Sequence, residues 1–333
     1  MTLEAVAVIG AGSWGTALTR PLTEQGREVR LWGHRPEQVE ELRRERENRA
    51  YLPGYRLDDL VRPTVDPAAA VKGCNHVLMV VPSHVFRDVL LRLAPHLAPG
   101  VHLISATKGI ENDTLMTMTG VMADVLPEAS YRPVVLSGPS FAREVARGLP
   151  TAVTVAAPDI DTARCCQKIL STERFRVYGA TDIIGLELGG ALKNVIAIAA
   201  GICDGLGYGT NTRAALITRG LAEIARLGVA MGANPLTFAG LGGLGDLVLT
   251  CTGDLSRNRT VGVKLGLGDR LADILAEMRM VAEGVKTTAS AWALARRQGV
   301  DMPILEQVHQ VLYRDKPCDD AVRDLLGRDL KDE

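Results

Sequence analysis

Short apolar runs alternate with amphipathic stretches over roughly the first 180 residues of the chain. Several runs are apolar nearly throughout, which is typical of strands buried on both faces of a parallel sheet. The stretches between them repeat apolar residues at helical spacing. The pattern predicts strands at 5–9, 28–32, 61–65, 76–81, 101–106, 133–137, 151–156 and 174–178, and helices at 13–25, 37–48, 86–94, 114–126, 141–147 and 160–170. Such alternation predicts a doubly wound α/β sheet.

The pattern changes after residue 181, where long helical repeats replace the alternation. Glycine-rich connectors separate these repeats, and no further strand pattern is visible in the sequence. Helices are predicted at 186–203, 213–231, 271–278, 287–298 and 304–313. We therefore expect an α/β domain over residues 1–180 and an all-α domain over residues 181–333.

A glycine-rich turn connects the first predicted strand to the first predicted helix. Its pattern is Gly10-x-Gly12-x-x-Gly15. In a dinucleotide fingerprint the first glycine allows the tight turn, the second lets a pyrophosphate approach the backbone, and the third lets the helix pack on the strand. The helix start then directs unpaired N–H groups and a positive dipole end at the phosphates. A tight turn without a ligand is the alternative, but the strand–turn–helix context favours a Rossmann-type nucleotide-binding domain.

The end of the second predicted strand lacks the acidic residue that an NAD-specific site carries about 20 residues after the fingerprint. Gly33 stands there, followed by His34 and Arg35. An arginine can meet the 2′-phosphate of NADP, and no carboxylate repels it. Alternatively, Arg35 is a solvated residue at a helix start. The sequence favours acceptance of NADPH and leaves NADH open.

Composition and charge narrow the class of protein. The chain has 333 residues, 47% of them hydrophobic and 23% charged, with a formal net charge of −1. This balance gives no electrostatic reason to expect nucleic acid as a partner. The apolar stretch 191–203 is interrupted by polar residues and is short for a membrane span, so none is expected. The six cysteines show no metal-ligand spacing, which predicts reduced thiols in a cytoplasmic protein without a metal: Cys74, Cys165, Cys166, Cys203, Cys251 and Cys318.

Lys193 is the leading candidate for proton transfer. Its neighbours in a predicted helix are almost all apolar or small. Burial there disfavours the charged amine, which lets a lysine exchange a proton near neutral pH. The alternative is a lysine whose ammonium reaches the surface from an apolar helix.

Two further segments of the predicted helical domain carry polar chemistry. Asp246 follows a glycine cluster, where backbone can approach a ligand closely. Ser256 stands where it could cap a helix, with Arg257 and Asn258 after it. A serine hydroxyl, free N–H groups and a guanidinium at one helix start suit a phosphate dianion. A loop cap at Asp246 and a surface charge at Arg257 are the simpler alternatives.

Two segments of the predicted α/β domain lie just after strands. Lys108 follows the strand at 101–106, and Gly138 and Ser140 follow the strand at 133–137. Ligands collect at the carboxyl edge of parallel strands, so these residues are candidates for substrate or nicotinamide contact. Structural turns would also account for them.

These segments together resemble bacterial glycerol-3-phosphate dehydrogenase, the soluble NAD(P)-dependent enzyme of phospholipid synthesis. The resemblance covers essentially the whole chain and rests on eight segments in order: 10–15, 32–35, 106–110, 137–142, 192–195, 243–247, 256–259 and 281–285. It implies reversible hydride transfer between dihydroxyacetone phosphate and sn-glycerol 3-phosphate, with NADP(H) or NAD(H) as cofactor. A homodimer is compatible with the apolar helices of the second domain.

The resemblance also implies roles for individual residues. Lys193 is expected to donate the proton to the carbonyl oxygen, while Asn194, Asp246 and Thr250 are expected to orient Lys193 and the substrate hydroxyl. The expected substrate contacts, besides Lys193, are Lys108, Gly138, Ser140, Asn194, Asp246, Thr250, Ser256, Arg257 and Asn258. The expected cofactor contacts, besides the three glycines, are Ser13, Trp14, His34, Arg35, Lys108, Ala142, Arg257, Val281 and Glu283.

Two other classes of protein share part of these features. A dehydrogenase of hydroxy acids or hydroxyacyl-CoA would keep the glycine fingerprint but has no need of the segment Ser256–Asn258. A non-catalytic nucleotide sensor would leave Lys193 and Asp246 without a purpose. Both classes are less consistent with the sequence than a glycerol-3-phosphate dehydrogenase.

Overall fold

The computed structural model describes residues 4–127, 130–278 and 282–329 and divides into two compact units. The first unit runs up to Lys108 and continues over Met116–Glu187. The second contains Gly109–Leu115 and the chain from Leu188 onward. The division therefore falls after residue 187 instead of residue 180, and the segment Gly109–Leu115 groups with the helical part of the chain.

The first unit combines strands and helices in alternation. Its strands are β1 (Val6–Ile9), β2 (Val29–Trp32), β3 (Glu47–Asn48), β4 (Leu52–Arg56), β5 (Val61–Thr64), β6 (His76–Met79), β7 (Val101–Ser105), β8 (Tyr131–Ser137), β9 (Thr151–Ala156) and β10 (Phe175–Ala180). Its helices are α1 (Ser13–Thr23), α2 (Pro36–Glu45), α3 (Pro67–Val71), α4 (Ser83–Leu93), α5 (Met118–Val125), α6 (Ala142–Ala146) and α7 (Ile160–Leu170). All eight predicted strands are present within a few residues of their expected bounds.

Eight of these strands form one sheet in the order β10-β9-β8-β7-β6-β1-β2-β5. The chain builds outward from β1 through β2 to β5 and then returns to place β6 on the other side of β1. This reversal makes the carboxyl ends of β1 and β6 a switch point, where ligands bind in open α/β sheets. The doubly wound fold is thus confirmed, except that β9 pairs antiparallel with β8. Apolar content alone does not reveal strand direction, so this reversal was not predicted.

The core explains why the strands are apolar throughout. Successive side chains of a strand point to opposite faces. In β1, Val6 and Val8 belong to one buried cluster, and Ala7 and Ile9 belong to another. Helices therefore cover both faces of the sheet at its centre.

The hairpin of β3 and β4 and the short helix α3 were not predicted. We expected a helix at 37–48, but α2 ends at Glu45, and Arg46 takes a left-handed conformation with φ of 55°. The chain then turns back on itself, and Glu47 pairs with Arg56. Helical propensity over the arginine-rich stretch masked this break.

The second unit is helical over its described residues. It contains most of α8 (Ile183–Gly205), followed by α9 (Thr210–Ala230), α10 (Asp246–Thr252), α11 (Arg257–Gly266), α12 (Leu271–Glu277), α13 (Glu283–Arg297), α14 (Pro303–Arg314) and α15 (Cys318–Leu326). A 3-10 turn (Pro235–Ala239) and a π-helical turn (Leu241–Gly245) precede α10. The absence of predicted strands in this region agrees with the described residues, whereas α10 and α15 were missed.

Helix α8 is longer than the predicted helix at 186–203. Its 23 residues are long and apolar enough to cross a membrane by length and composition, so the expected shortness of this stretch was wrong. However, 89% of its most apolar window is buried inside the protein. The core helix of a folded domain has this character.

Helices α8 and α11 touch along a line of glycines. A Cβ on Gly201 would lie 2.1 Å from the carbonyl oxygen of Arg259, and one on Gly262 would lie 2.0 Å from that of Ile198. One turn further along each helix, Gly205 and Gly266 show the same close approach. We call these four residues the glycine seam. Because it removes every side chain between the two backbones, it fixes how closely α8 and α11 can lie.

Candidate active site

The glycine turn after β1 has the geometry that its spacing predicts. Gly10 has a φ of +123°, and a Cβ there would lie 2.5 Å from the carbonyl oxygen of Val80 at the end of β6. A Cβ on Gly15 would lie 1.9 Å from the carbonyl oxygen of Gly10, so α1 packs directly on the turn. Apart from its two chain neighbours, no atom of the described residues lies within 4 Å of the Cβ position of Gly12. Gly12 also caps α1 without a side-chain hydrogen bond. This open backbone at a helix start fits a dinucleotide pyrophosphate.

Two buried amides that the sequence analysis missed hold this turn. Gln38 of α2 donates from Nε2 to the carbonyl oxygen of Ala11 at 2.7 Å. Asn48 of β3 donates to the same oxygen at 3.0 Å and to Thr16 Oγ1 at 2.7 Å. A loop fixed by two side-chain donors keeps its N–H groups oriented. No signal for Asn48 was available, because its strand was predicted as helix.

The end of β2 explains the missing acidic residue. A Cβ on Gly33 would lie 3.0 Å from Val39 Cγ2, so a larger side chain there would press on α2. His34 and Arg35 are exposed beyond it. Arg35 donates from Nη2 to Tyr51 Oη at 2.7 Å, and its guanidinium lies 5.4 Å from the centre of the Tyr51 ring. The hairpin thus orients the cation at this strand end.

The ends of β7 and β8 bring three of the predicted residues together. Lys108 Nζ donates to the carbonyl oxygen of Gly138 at 3.3 Å. Ser140 Oγ donates to the same oxygen at 3.0 Å. Ala142 begins α6 immediately afterwards, and Ser13 and Trp14 lie half-buried in the first turn of α1.

Lys193 lies inside the helical unit. Its side chain is only 8% exposed, which excludes the alternative of an ammonium that reaches the surface. Nζ forms an ion pair with Asp246 Oδ1 and donates to Thr250 Oγ1 at 2.9 Å. Asp246 is fully buried as the first residue of α10, so it is not a loop cap. The carboxylate stabilises the ammonium and opposes the effect of burial on which the sequence analysis relied.

Close backbone packing brings these groups together. Gly189 lies one turn before Lys193 in α8, and a Cβ on it would lie 2.5 Å from the carbonyl oxygen of Gly242. Gly242 belongs to the π-helical turn that leads into Asp246. Such turns are rare in proteins, and those that occur often lie at functional sites. Here the turn delivers the carboxylate of Asp246 to the ammonium of Lys193.

The next residue in α8 joins a second group. Asn258 donates from Nδ2 to Asn194 Oδ1 at 2.9 Å and accepts at Oδ1 from the N–H of Gly284 at 3.0 Å. A Cβ on Gly284 would lie 2.7 Å from the carbonyl oxygen of Asn194, so this position tolerates only glycine. The two asparagines and Gly284 therefore link α8, α11 and α13. The role of Gly284 in this link was not predicted from the sequence.

The start of α11 has the predicted cap. Ser256 is the N-cap residue, and its Oγ accepts from the N–H of Arg259 at 3.2 Å. Arg257 is exposed at the first helical position, with the negative charge of Glu283 near it. Val281 lies outside the described residues. A cap, a guanidinium and N–H groups at one helix start can bind a phosphate dianion.

Comparison with known proteins agrees with this geometry. Residues 5–163 match the family model described as NAD-dependent glycerol-3-phosphate dehydrogenase N-terminus, and residues 182–323 match that of the C-terminus.

Three relatives extend the match over the whole chain. Glycerol-3-phosphate dehydrogenase [NAD(P)+] of Geobacter sp. (strain M21) is 58% identical over 331 residues, which cover 99% of each chain. The protein of the same name from Geobacter sulfurreducens is 60% identical over 331 residues, with the same coverage. The crystal structure of glycerol-3-phosphate dehydrogenase from Coxiella burnetii superposes with a TM-score of 0.94 at 40% identity, covering 98% of this chain and 100% of that one. The resemblance found in the sequence is confirmed: the chain belongs to the family of NAD-dependent glycerol-3-phosphate dehydrogenases.

Proposed function

We propose that this protein catalyses the reversible, NAD(P)H-dependent reduction of dihydroxyacetone phosphate to sn-glycerol 3-phosphate. The observation that carries the proposal is the buried group of Lys193, Asp246 and Thr250 in the unit that also presents Arg257. A proton donor and a phosphate-binding helix start are the two features that this substrate requires.

Lys193 is the proton donor in this scheme. When bound, the reduced nicotinamide supplies the hydride that adds to the carbonyl carbon. The carbonyl oxygen gains negative charge, which the ammonium of Lys193 stabilises and then neutralises by giving up a proton. In the oxidative direction the neutral amine takes the proton from the hydroxyl group.

Thr250 and Asp246 fix the direction of the ammonium. The Thr250 hydroxyl donates to the backbone carbonyl of Asp246 at 2.6 Å. Because a hydroxyl has one hydrogen to donate, its lone pairs are left to accept from Lys193 Nζ. The carboxylate of Asp246 holds the same ammonium from a second side. The amine is therefore oriented before the substrate arrives, which favours catalysis by positioning.

The start of α11 holds the phosphate of the substrate. Arg257 supplies the guanidinium, and the Ser256 hydroxyl has a hydrogen to donate in addition to the bond that it accepts. Asn258 keeps a second amide N–H besides the one given to Asn194. The phosphate is remote from the reacting carbon, so its binding energy serves to orient the carbonyl. Asn194 positions the substrate hydroxyl beside Lys193.

The glycine turn and its surroundings hold the dinucleotide. The pyrophosphate binds at Gly10, Gly12 and Gly15, and the other proposed contacts of the cofactor are Ser13, Trp14, His34, Arg35, Lys108, Ala142, Arg257, Val281 and Glu283. Arg35 donates hydrogen bonds to the 2′-phosphate of NADPH, so we expect NADPH to be used efficiently. In this scheme the first unit binds the dinucleotide and the second unit binds the substrate.

The remaining proposals concern Lys108, Gly138 and Ser140, which contact the substrate from the α/β domain. We further propose that the product supplies the backbone of glycerophospholipids and that the protein works in the cytoplasm. A homodimer is the oligomer that we expect.

Nicotinamide absorbance provides the test. Purified protein should oxidise NADPH or NADH with dihydroxyacetone phosphate and leave them unchanged with pyruvate or an acyl-CoA ketone. Faster turnover with either of the latter compounds would assign the protein to the dehydrogenases of hydroxy acids or hydroxyacyl-CoA. Binding of cofactor with no turnover of any of the three would support the sensor class.

A further inference from the structure

Two imidazoles and a thiol meet in the sheet of the first unit, and neither the reaction nor the family assignment uses them. His76 and His102 are register partners in the adjacent parallel strands β6 and β7. Their rings stack with centroids 4.6 Å apart and planes 13° from parallel. Cys165 of α7 places its Sγ 3.9 Å from His76 Nε2. One donor atom from each of the three residues lies within 4.8 Å of the other two.

The polar atoms of this group are incompletely satisfied. His76 is 5% exposed, and its Nδ1 has no hydrogen-bond partner in the part of the chain that the structure describes. Both ring nitrogens of His102 lack a hydrogen bond of standard geometry to any described residue, although the Asn75 carbonyl is near the ring. A buried polar atom without a partner costs free energy. Two stacked imidazoles with three buried nitrogen atoms that lack partners among the described residues are therefore unfavourable unless a ligand uses them.

We propose that His76, His102 and Cys165 form a binding site for a divalent transition metal ion, with Zn²⁺ as the preferred one. Neutral imidazole nitrogen and thiolate sulfur are the donors that Zn²⁺ takes in proteins, and three of them with one open position are a known arrangement. His102 and Cys165 are half-buried, so solvent can reach the site and supply the fourth ligand. Binding displaces the thiol proton to solvent and changes no oxidation state.

The stacked rings show what must move. The lone pairs of imidazole nitrogens lie in the ring planes. In nearly parallel rings they therefore point along parallel planes and cannot both be directed at one metal ion. Convergence on a single ion takes a rotation of one ring about its Cβ–Cγ bond, a torsion with a broad energy profile. Metal binding therefore separates the stack and links β6, β7 and α7.

The surrounding charges moderate the affinity. The positive charge of Arg27 near His76 and that of Arg132 near His102 both disfavour the binding of a cation. The negative charge of Asp159, the N-cap residue of α7, lies near His102 and favours the binding of a cation. The thiolate of Cys165 adds a second negative charge. We expect reversible binding, weaker than at a closed structural site with four cysteines.

The site lies apart from the dinucleotide crevice of the sheet. His76 is the first residue of β6, whereas the switch point is at the other end of that strand, where Val80 approaches Gly10. Metal binding can therefore be measured without reference to catalysis, and failure of this proposal leaves the proposed function untouched.

Cobalt provides a spectroscopic test on the full-length protein. The protein is purified without an affinity tag, treated with a chelator, and titrated with Co²⁺ under reducing conditions. We expect one equivalent to give the ligand-field bands of tetrahedral Co²⁺ together with a thiolate-to-cobalt charge-transfer band. Zn²⁺ should then displace the cobalt and raise the thermal unfolding midpoint. Titration without a charge-transfer band would overturn the proposal.

Three variants make the assignment specific. Cys165→Ser and His102→Gln should each weaken Zn²⁺ binding by at least about tenfold and remove the charge-transfer band or shift the ligand-field bands. Cys318→Ser is the matched control, because it removes another half-buried thiol in α15 and should leave all spectra unchanged. Circular dichroism and dehydrogenase turnover verify that each variant is folded. Equal loss of binding in Cys318→Ser and Cys165→Ser would mean that the metal binds elsewhere.

Discussion

The glycine turn after β1 and the buried group around Lys193 are built in opposite ways. The turn occupies six consecutive residues, and its function depends on backbone that no side chain covers. Lys193 instead meets Asp246, 53 positions later, and Thr250, 57 positions later, and depends on their side chains. A local backbone site can be recognised from spacing alone. A site assembled from distant side chains exists only once the helices have packed.

The two regions should also respond differently to substitution. In the turn, damage comes from adding a side chain, and its severity depends on what the new Cβ would meet. Around Lys193, damage comes from removing one, which takes away a proton donor or leaves a buried charge. The experiments below separate these modes, from the largest expected effect to the smallest.

Removal of Lys193 should have the largest effect. Positioned proton transfer typically contributes ~10²–10⁴-fold to turnover, so Lys193→Ala should lower kcat by about that factor while the affinity for NADPH stays unchanged. The substitution also removes the ammonium partner of the buried Asp246, at a cost of ~3–5 kcal/mol in the free energy of unfolding.

A double variant distinguishes chemistry from folding. Lys193→Ala with Asp246→Asn removes both charges and should recover stability but not kcat. Lys264→Ala, which removes an exposed lysine of α11 paired with Glu277, is the matched control. Wild-type kcat in the folded double variant would refute the role of Lys193.

The phosphate site should show a large effect on KM. Charged hydrogen bonds contribute ~1.5–3 kcal/mol, so Arg257→Ala should raise KM for dihydroxyacetone phosphate roughly tenfold to a hundredfold. Unphosphorylated dihydroxyacetone, already a poor substrate, should lose little. Arg270→Ala removes an exposed arginine at the start of α12 and serves as the control. Equal losses for both compounds would contradict a phosphate-specific role.

A pair of glycine substitutions tests the backbone site. Gly12→Ala should leave the unfolding midpoint nearly unchanged, because the new Cβ would meet no described residue within 4 Å except its chain neighbours, and should weaken dinucleotide binding by about tenfold (~1.4 kcal/mol). Gly10→Ala should instead destabilise the protein, because φ is +123° and the Cβ would lie 2.5 Å from the Val80 oxygen. Thermal melts and dinucleotide titrations measure both. Similar behaviour of the two variants would show that open space at Gly12 has no connection with the ligand.

Cofactor choice is the smallest effect. Arg35→Ala should reduce kcat/KM for NADPH roughly tenfold and change that for NADH little, because one charged hydrogen bond to the 2′-phosphate is lost. Tyr51→Phe removes the hydroxyl that accepts a hydrogen bond from the guanidinium of Arg35. It should lower kcat/KM for NADPH in the same direction but by a smaller factor. Efficient NADH use with no NADPH activity in the wild type would mean that another group sets the pocket.

The sequence predicted local features well and tertiary ones poorly. The strand bounds around the glycine turn and the cap at Ser256 follow from apolar periodicity and capping chemistry, which act over a few residues. Lys193 and Asp246 were each identified, but their contact depends on the approach of Gly189 to Gly242, which no local pattern encodes. The brace through Gly284 was missed for the same reason.

Direction and pairing of chain segments account for the other misses. An apolar run has the same sequence pattern in either strand direction, so the antiparallel pairing of β9 with β8 was not predictable from it. The β3–β4 hairpin interrupts a stretch whose composition favours helix. Because the hairpin was not predicted, the hydrogen bond from Asn48 to Ala11 was not predicted either. Both features are decided by which segments can pair in space.

The glycine seam between α8 and α11 has a consequence for how this enzyme can change over generations. Every replacement of glycine by another amino acid adds a Cβ. At Gly201 and Gly262 any such Cβ would lie about 2 Å from a backbone oxygen of the facing helix. No amino-acid replacement at these positions leaves the helix spacing intact, and the two helices carry Lys193 and Arg257. The spacing between the proposed proton donor and the proposed phosphate site is thus maintained by residues to which neither role is assigned.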